Sequence, residues 1–135
     1  SLFLNSKLKP LKNLIFASIL GLVSVAMGAF GAHALKDILE PEALRSYETG
    51  VRYMMVHALV LLFLNNSSLL EQKTRNTLSY LFITGILFFS GSIFAIQLKL
   101  ADASSIWFIT PLGGLLLISG WFGIALAFIR KSRAD

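Results

Sequence analysis

Two histidines have the broadest chemistry in this chain, and neither has the neighbours a familiar reaction needs. His57 stands inside an apolar run with Tyr53 four residues before it, and Gly50 and Ser46 share its face at helical spacing. His33 closes the preceding apolar run. An imidazole can move a proton or hold a metal, but two histidines on separate segments, without a carboxylate or Cys beside them, form an incomplete ligand set. His57 therefore reads first as a buried neutral imidazole bonded to a nearby hydroxyl or carbonyl. Binding of a metal, haem, proton or polar ligand is the alternative, and His33 reads as an interfacial residue. No metal or cofactor is expected. Cys is absent, so disulfides, thiolate metal sites and c-type haem attachment are excluded. The chain has no carboxylate pair and no Ser near a His and an Asp in a recognisable motif, so no enzymatic activity is expected.

The other polar candidates are few: Arg52, Ser90, Ser92, Gln97 and Thr110. Arg52 reads as part of a solvated helix face, with a grip on lipid phosphate or a ligand anion as the sharper alternative. Thr110 followed by Pro111 reads as an N-cap and a first helical residue.

Four apolar stretches carry these residues, at about 14–32, 51–70, 77–98 and 106–128. Each approaches the ~20 residues that a helix needs to cross ~30 Å of hydrocarbon. Backbone polar groups in lipid must be satisfied within their own segment, so the expected fold is an all-α membrane protein. Its form is a four-transmembrane-helix bundle filling residues 1–135 as a single integral membrane domain. Composition agrees: 56% of residues are hydrophobic, 14% are charged and the mean hydropathy is +0.74. A soluble domain would approach ~25% charged. A start at Ser1 fits a processed or trimmed terminus. The first run is not expected to be a removable signal peptide, since three further spans follow it.

The net charge of +5 does not point to nucleic acid, because the basic residues flank the apolar runs as topological anchors. Lys7, Lys9 and Lys12, then Lys73 and Arg75, then Arg130, Lys131 and Arg133 would share one side, eight in all against four on the other. Both termini are thus expected in the cytoplasm. No Asp, Glu, Lys or Arg is expected inside a span beyond its edges, which argues against an ion-coupled pump. The loop after the first span should hold an amphipathic helix at about 41–50, lying on the outer surface. There Pro41 and Glu42 suit a helix start, and Leu44, Tyr47, Val51 and Met54 recur at helical spacing.

Small residues should govern packing, because helices in lipid gain no hydrophobic benefit from touching and rely on close van der Waals approach. The candidates are Gly21, Ser24, Gly28 and Gly31 in the first span, Gly91 in the third, and Gly113, Gly114, Gly120 and Gly123 in the fourth. With this topology His33, Tyr53, His57, Ser90, Ser92, Gln97 and Thr110 would gather in the outer half of the bilayer. The cytoplasmic half would be almost entirely aliphatic and aromatic. His57 and Tyr53 should face inward and meet the first and third spans near Gly28, Gly31 and Ser92.

Four ordered motifs carry a resemblance: Ala26-Met27-Gly28-Ala29-Phe30-Gly31-Ala32-His33; Thr49-Gly50-Val51-Arg52-Tyr53 with His57 beyond; Phe89-Ser90-Gly91-Ser92; and Thr110-Pro111-Leu112-Gly113-Gly114 with Gly120-Trp121. In content and order they resemble the small bacterial membrane family called domain of unknown function 423, which has small four-span eukaryotic relatives. The resemblance implies four spans and a cytoplasmic (inner) membrane location, but no reaction. Relatives often carry Gln after the motif tyrosine, where this chain has Met54. The leading functional reading is a structural or accessory envelope protein that binds lipid, or a membrane-protein partner, through the outer polar cluster. An oligomeric small-molecule or ion transport module is the alternative, and haem or metal binding through His33 and His57 is a third. The expected partners are the lipid bilayer and a second copy or another membrane protein, with no nucleic acid.

Overall fold

A computed structural model describes the backbone of residues 2–135 and the side chains from Leu11 onward. Lys7 and Lys9, used above for orientation, lie outside the described side chains. Helix α1 (Leu2–Phe30) runs into a π-helical turn (Gly31–Leu35), followed by α2 (Pro41–Asn66), α3 (Gln72–Gln97), the one-turn α4 (Ala103–Ile106) and α5 (Ile109–Ala134). The described chain contains no strand. At 1.5 Å rise per residue, a helix of 26 residues is about 39 Å long, enough to cross a bilayer.

Three segments are both long enough and apolar enough to span: Leu11–Leu35, Gln72–Gln97 and Ile109–Ala134. The fourth long helix, α2, matches α3 and α5 in length at 26 residues but carries Glu42, Arg45, Glu48, Arg52 and His57. The expected break between a surface helix over 41–50 and a span over 51–70 is corrected here, because both belong to one unbroken helix. Pro41 opens it at the first position and Glu42 complements the positive end of its dipole. No further Pro interrupts it. It ends at Asn66, earlier than expected, where Asn65, Asn66, Ser67 and Ser68 follow one another. The Asn65 and Asn66 amides donate to the carbonyls of Leu61 and Leu62, both at about one turn back (2.9 and 2.8 Å).

The long helices pack serially, α1 on α2, α2 on α3 and α3 on α5. Core side chains come chiefly from α2 and α3, including Tyr47, Leu61, Leu64, Phe82 and Ile86, whereas α1 and α5 lie on the flanks. Those flanks present Ile15, Ile19, Leu22 and Val25 on one side and Leu115, Ile118 and Phe122 on the other. So wide an apolar surface is at home against acyl chains and not in water. The loop after α2 lies beside the end of α5, as Leu69, Leu70, Arg130 and Lys131 share one cleft. That end is called the tail end below, and the opposite one the far end.

The seam between α3 and α5 is a ladder of large residues against glycines. Gly113 sits so near the Phe89 backbone that a Cβ would overlap it, and Gly120 faces the Phe82 ring, 2.7 Å from where a Cβ would stand. Gly123 faces Leu78, and Gly85 of α3 faces Leu117 at 2.8 Å. Reading 78, 82, 85 and 89 against 123, 120, 117 and 113 gives an antiparallel register with a glycine on every rung, set against a bulky side chain on three of them and against the Phe89 backbone on the fourth. Against α2, the Tyr47 ring lies 2.5 Å from where a Cβ of Gly31 in the π-helical turn would stand, and Val51 lies 3.3 Å from where one of Gly28 in α1 would stand. Ser24 is buried and donates to the Leu20 carbonyl. Two packing assignments are corrected: Gly21 and Gly91 face open space, with nothing within 4 Å of a Cβ. Gly114 makes only ordinary contact with the Phe89 ring.

Candidate functional site

His57 is buried on α2, and its two ring nitrogens have partners that fix its state. Nδ1 lies 2.7 Å from the Tyr53 carbonyl, and Trp121 Nε1 lies 3.0 Å from Nε2. A carbonyl only accepts and an indole N–H only donates, so Nδ1 carries the hydrogen and Nε2 is the acceptor. The imidazole is neutral in this arrangement. Adding a proton at Nε2 would set two donors against each other and break the bond to α5. Phe82 completes the setting, with its ring centroid 5.7 Å from His57 and its plane edge-on to Trp121.

This geometry corrects the expected neighbours. His57 meets α3 through Phe82, as expected, and α5 through Trp121; the neighbours of Gly28 of α1 and Gly31 of the π-helical turn are Val51 and Tyr47 instead. Tyr47, fully buried, donates its hydroxyl to the Met27 carbonyl at 2.6 Å. Tyr53 does not turn fully inward: it is 40% exposed and stacks on Phe89 at 4.6 Å. Trp121 was absent from the expected site. The available signal was a single indole near the middle of an apolar run, away from the interfaces where Trp collects, whose N–H needs a partner.

Between α2 and α5, above the α3 floor, an open groove of about 460 Å³ runs past Arg52, Tyr53, His57, Phe89, Ile118 and Trp121. None of its lining residues carries a negative charge. Its depth follows from one bond: Ser90 donates to the Gly50 carbonyl at 2.6 Å, which sets Gly50 level with a residue seven short of the α3 end. Arg52, exposed and about three turns into α2, is therefore about 10 Å inward of the far end of α3.

The remaining outer candidates do not form one cluster. Ser92 bonds the Thr110 hydroxyl and the Phe89 carbonyl, pinning α3 to α5. Thr110 is not an N-cap, since α5 already begins at Ile109. Pro111 still falls in the first turn, where its missing N–H is not needed. His33 is exposed on the π-helical turn, and Gln97 ends α3 partly buried. Among the described residues no three His, Cys, Asp or Glu side chains gather to hold a metal.

A second polar region lies at the tail end, in the half expected to be almost entirely aliphatic and aromatic. Asn13 of α1 donates through Nδ2 to Asn65 of α2 (2.9 Å) and Asn76 of α3 (3.0 Å). Asn65 also donates to Ser79, Gln72 donates to Asn76, and Arg75 donates to Gln72 and to the Ser67 carbonyl. One connected network thus ties three helices and the loop between two of them.

Residues 27–114 match the family described as protein of unknown function (DUF423). The chain belongs to this family. The DUF423 match takes in Arg52, Tyr53, His57, Ser90, Ser92 and Thr110 and stops short of Trp121. A UPF0382 membrane protein of Haemophilus influenzae is 38% identical over 84% of this chain and 90% of its own length. UPF0382 membrane protein YwdK of Bacillus subtilis is 37% identical over 87% and 95%. UPF0382 inner membrane protein YgdD of Escherichia coli is 34% identical over 89% and 91%. No solved structure matches. With these relatives and its apolar helices, the chain is a membrane protein with transmembrane helices.

Proposed function

We propose that this DUF423 protein is a four-span, non-catalytic accessory protein of the cytoplasmic membrane that holds an anionic lipid in the groove between α2 and α5. The fourth span is α2, whose Arg52 and His57 line the groove and whose length equals that of α3 and α5. Its central packing position, between α1 and α3, supports that reading. The excess of basic residues at the tail end supports a topology with both termini in the cytoplasm.

One observation carries the lipid assignment: Arg52 lines a groove with apolar and aromatic walls and without a single negative lining residue. A cation at membrane depth is costly without an anionic partner or water, and such residues mark functional sites. A lipid phosphate would satisfy Arg52 while an acyl chain follows Val56, Ile118 and Trp121 toward the middle of the bilayer. The test is quenching of Trp121 fluorescence by brominated phosphatidylglycerol and brominated phosphatidylcholine, in a Trp107→Phe background. Stronger quenching by the glycerol lipid, lost in Arg52→Gln, is expected. Equal quenching by both lipids in the Arg52 protein would contradict the proposal.

A further inference from the structure

We infer that a second anionic-phospholipid site lies at the tail end, in the cleft between α1 and α3 formed by Lys12, Asn13, Phe16, Asn76, Tyr80 and Ile83. The cleft has a volume of about 420 Å³. It does not depend on the α2–α5 groove and shares no lining residue with it. Among the described residues its lining holds one cation and no anion, with Lys12 exposed at the same helical level as the amides.

The amides are pre-positioned. Asn76 Oδ1 accepts from both Asn13 and Gln72, so its Nδ2 hydrogens are the donors left over, and no described residue accepts them. Asn13 is held on its other side by Asn65. Polar groups open to acyl chains are expensive, so a floor of amides beneath apolar Phe16 and Ile83 calls for an occupant that is polar at one end and apolar at the other. A phosphodiester fits the polar end, taking hydrogen bonds from Lys12 and Asn76. Its acyl chain then lies against Phe16 and Ile83, and the exposed Tyr80 closes one side.

The test uses the full chain with p-benzoylphenylalanine replacing Ile83, reconstituted in vesicles of phosphatidylethanolamine with a minority of phosphatidylglycerol. Captured lipid is identified by mass after irradiation. Phosphatidylglycerol should be captured about fivefold above its bulk share, the factor expected from one well-placed cation. Lys12→Gln and Asn76→Asp should return capture to the bulk ratio; the second keeps the acceptor that Asn13 and Gln72 need while replacing the donor by a negative oxygen. Arg52→Gln should leave the enrichment intact, which separates this site from the other groove. Should Asn76→Asp fail to fold, the exposed Lys12→Gln decides alone. Bulk-ratio capture in the unsubstituted chain, enrichment that survives Lys12→Gln, or enrichment abolished by soluble glycerol phosphate would each overturn the inference.

Discussion

The two polar regions of this molecule differ in what their hydrogen bonds leave behind. At the tail end Asn13, Asn65, Asn76, Ser79, Gln72 and Arg75 bond one another across three helices. In the α2–α5 groove the bonds are isolated: His57 to Trp121 and to its own helix, with Arg52 beside apolar walls. A connected network fixes helices, because losing one member strands the others. A groove with one cation and isolated bonds is cheap to fill and to empty. The comparison gives a division of labour: the amide network holds the bundle and leaves only the Asn76 donors at its edge for a lipid, whereas the groove serves binding alone.

The largest expected effect lies in the ladder that both regions depend on. Gly113→Ala places a Cβ on the Phe89 backbone, which cannot rotate away as a side chain could. It should lower stability in detergent by about 1–3 kcal/mol, whereas Gly21→Ala, facing open space, should leave the melting temperature unchanged or slightly raised. Equal melting temperatures for the two variants would place α3 and α5 farther apart than described.

Next comes the network. Asn65→Leu removes donors to Leu61 and Ser79 and an acceptor for Asn13. A loss of about 1–2 kcal/mol is expected, together with a non-zero coupling energy in a double-mutant cycle pairing Asn13→Ala with Asn76→Ala. Additive effects in that cycle would mean that the amides act separately.

Trp121→Phe should be milder, near the ~0.6 kcal/mol average for one interhelical bond in a membrane. His57→Leu should cost more, because it leaves the Trp121 N–H without its acceptor. If the two variants melt alike, the bond contributes nothing measurable and ring packing alone holds the pair.

An effect of similar size and opposite sign lies outside both regions. Lys99 adopts φ 59° at the end of α3, where the Leu100 N–H bonds the Ala95 carbonyl and the Lys99 N–H bonds that of Ile96. This is a Schellman cap whose left-handed position normally takes Gly. Lys99→Gly should raise stability by about 0.5–1 kcal/mol, measurable as a higher denaturation midpoint.

Much of this was legible in the composition, because long apolar runs in so short a chain leave helices as the main option. The rest required tertiary contacts. Polarity changes along α2 without a breaker, so a surface helix and a span read as two elements although the backbone makes one. Thr110-Pro111 looks like a helix start from residue types alone, yet Pro111 is equally tolerated two positions later. Asn13, Asn65 and Asn76 each look like an ordinary residue near the end of a run, and only the packing of α1 across α2 and α3 brings them within bonding distance. Trp121 lies 64 residues beyond His57, and no local spacing connects them.

The division between holding and binding is tested most directly by one measurement on two proteins: bromolipid quenching of Trp121, as a ratio of phosphatidylglycerol to phosphatidylcholine, in Arg52→Gln and in Asn65→Leu. The account predicts that the ratio falls to unity in Arg52→Gln and stays at its original value in Asn65→Leu, despite the lower stability of the latter. A ratio preserved in Arg52→Gln and lost in Asn65→Leu would contradict it.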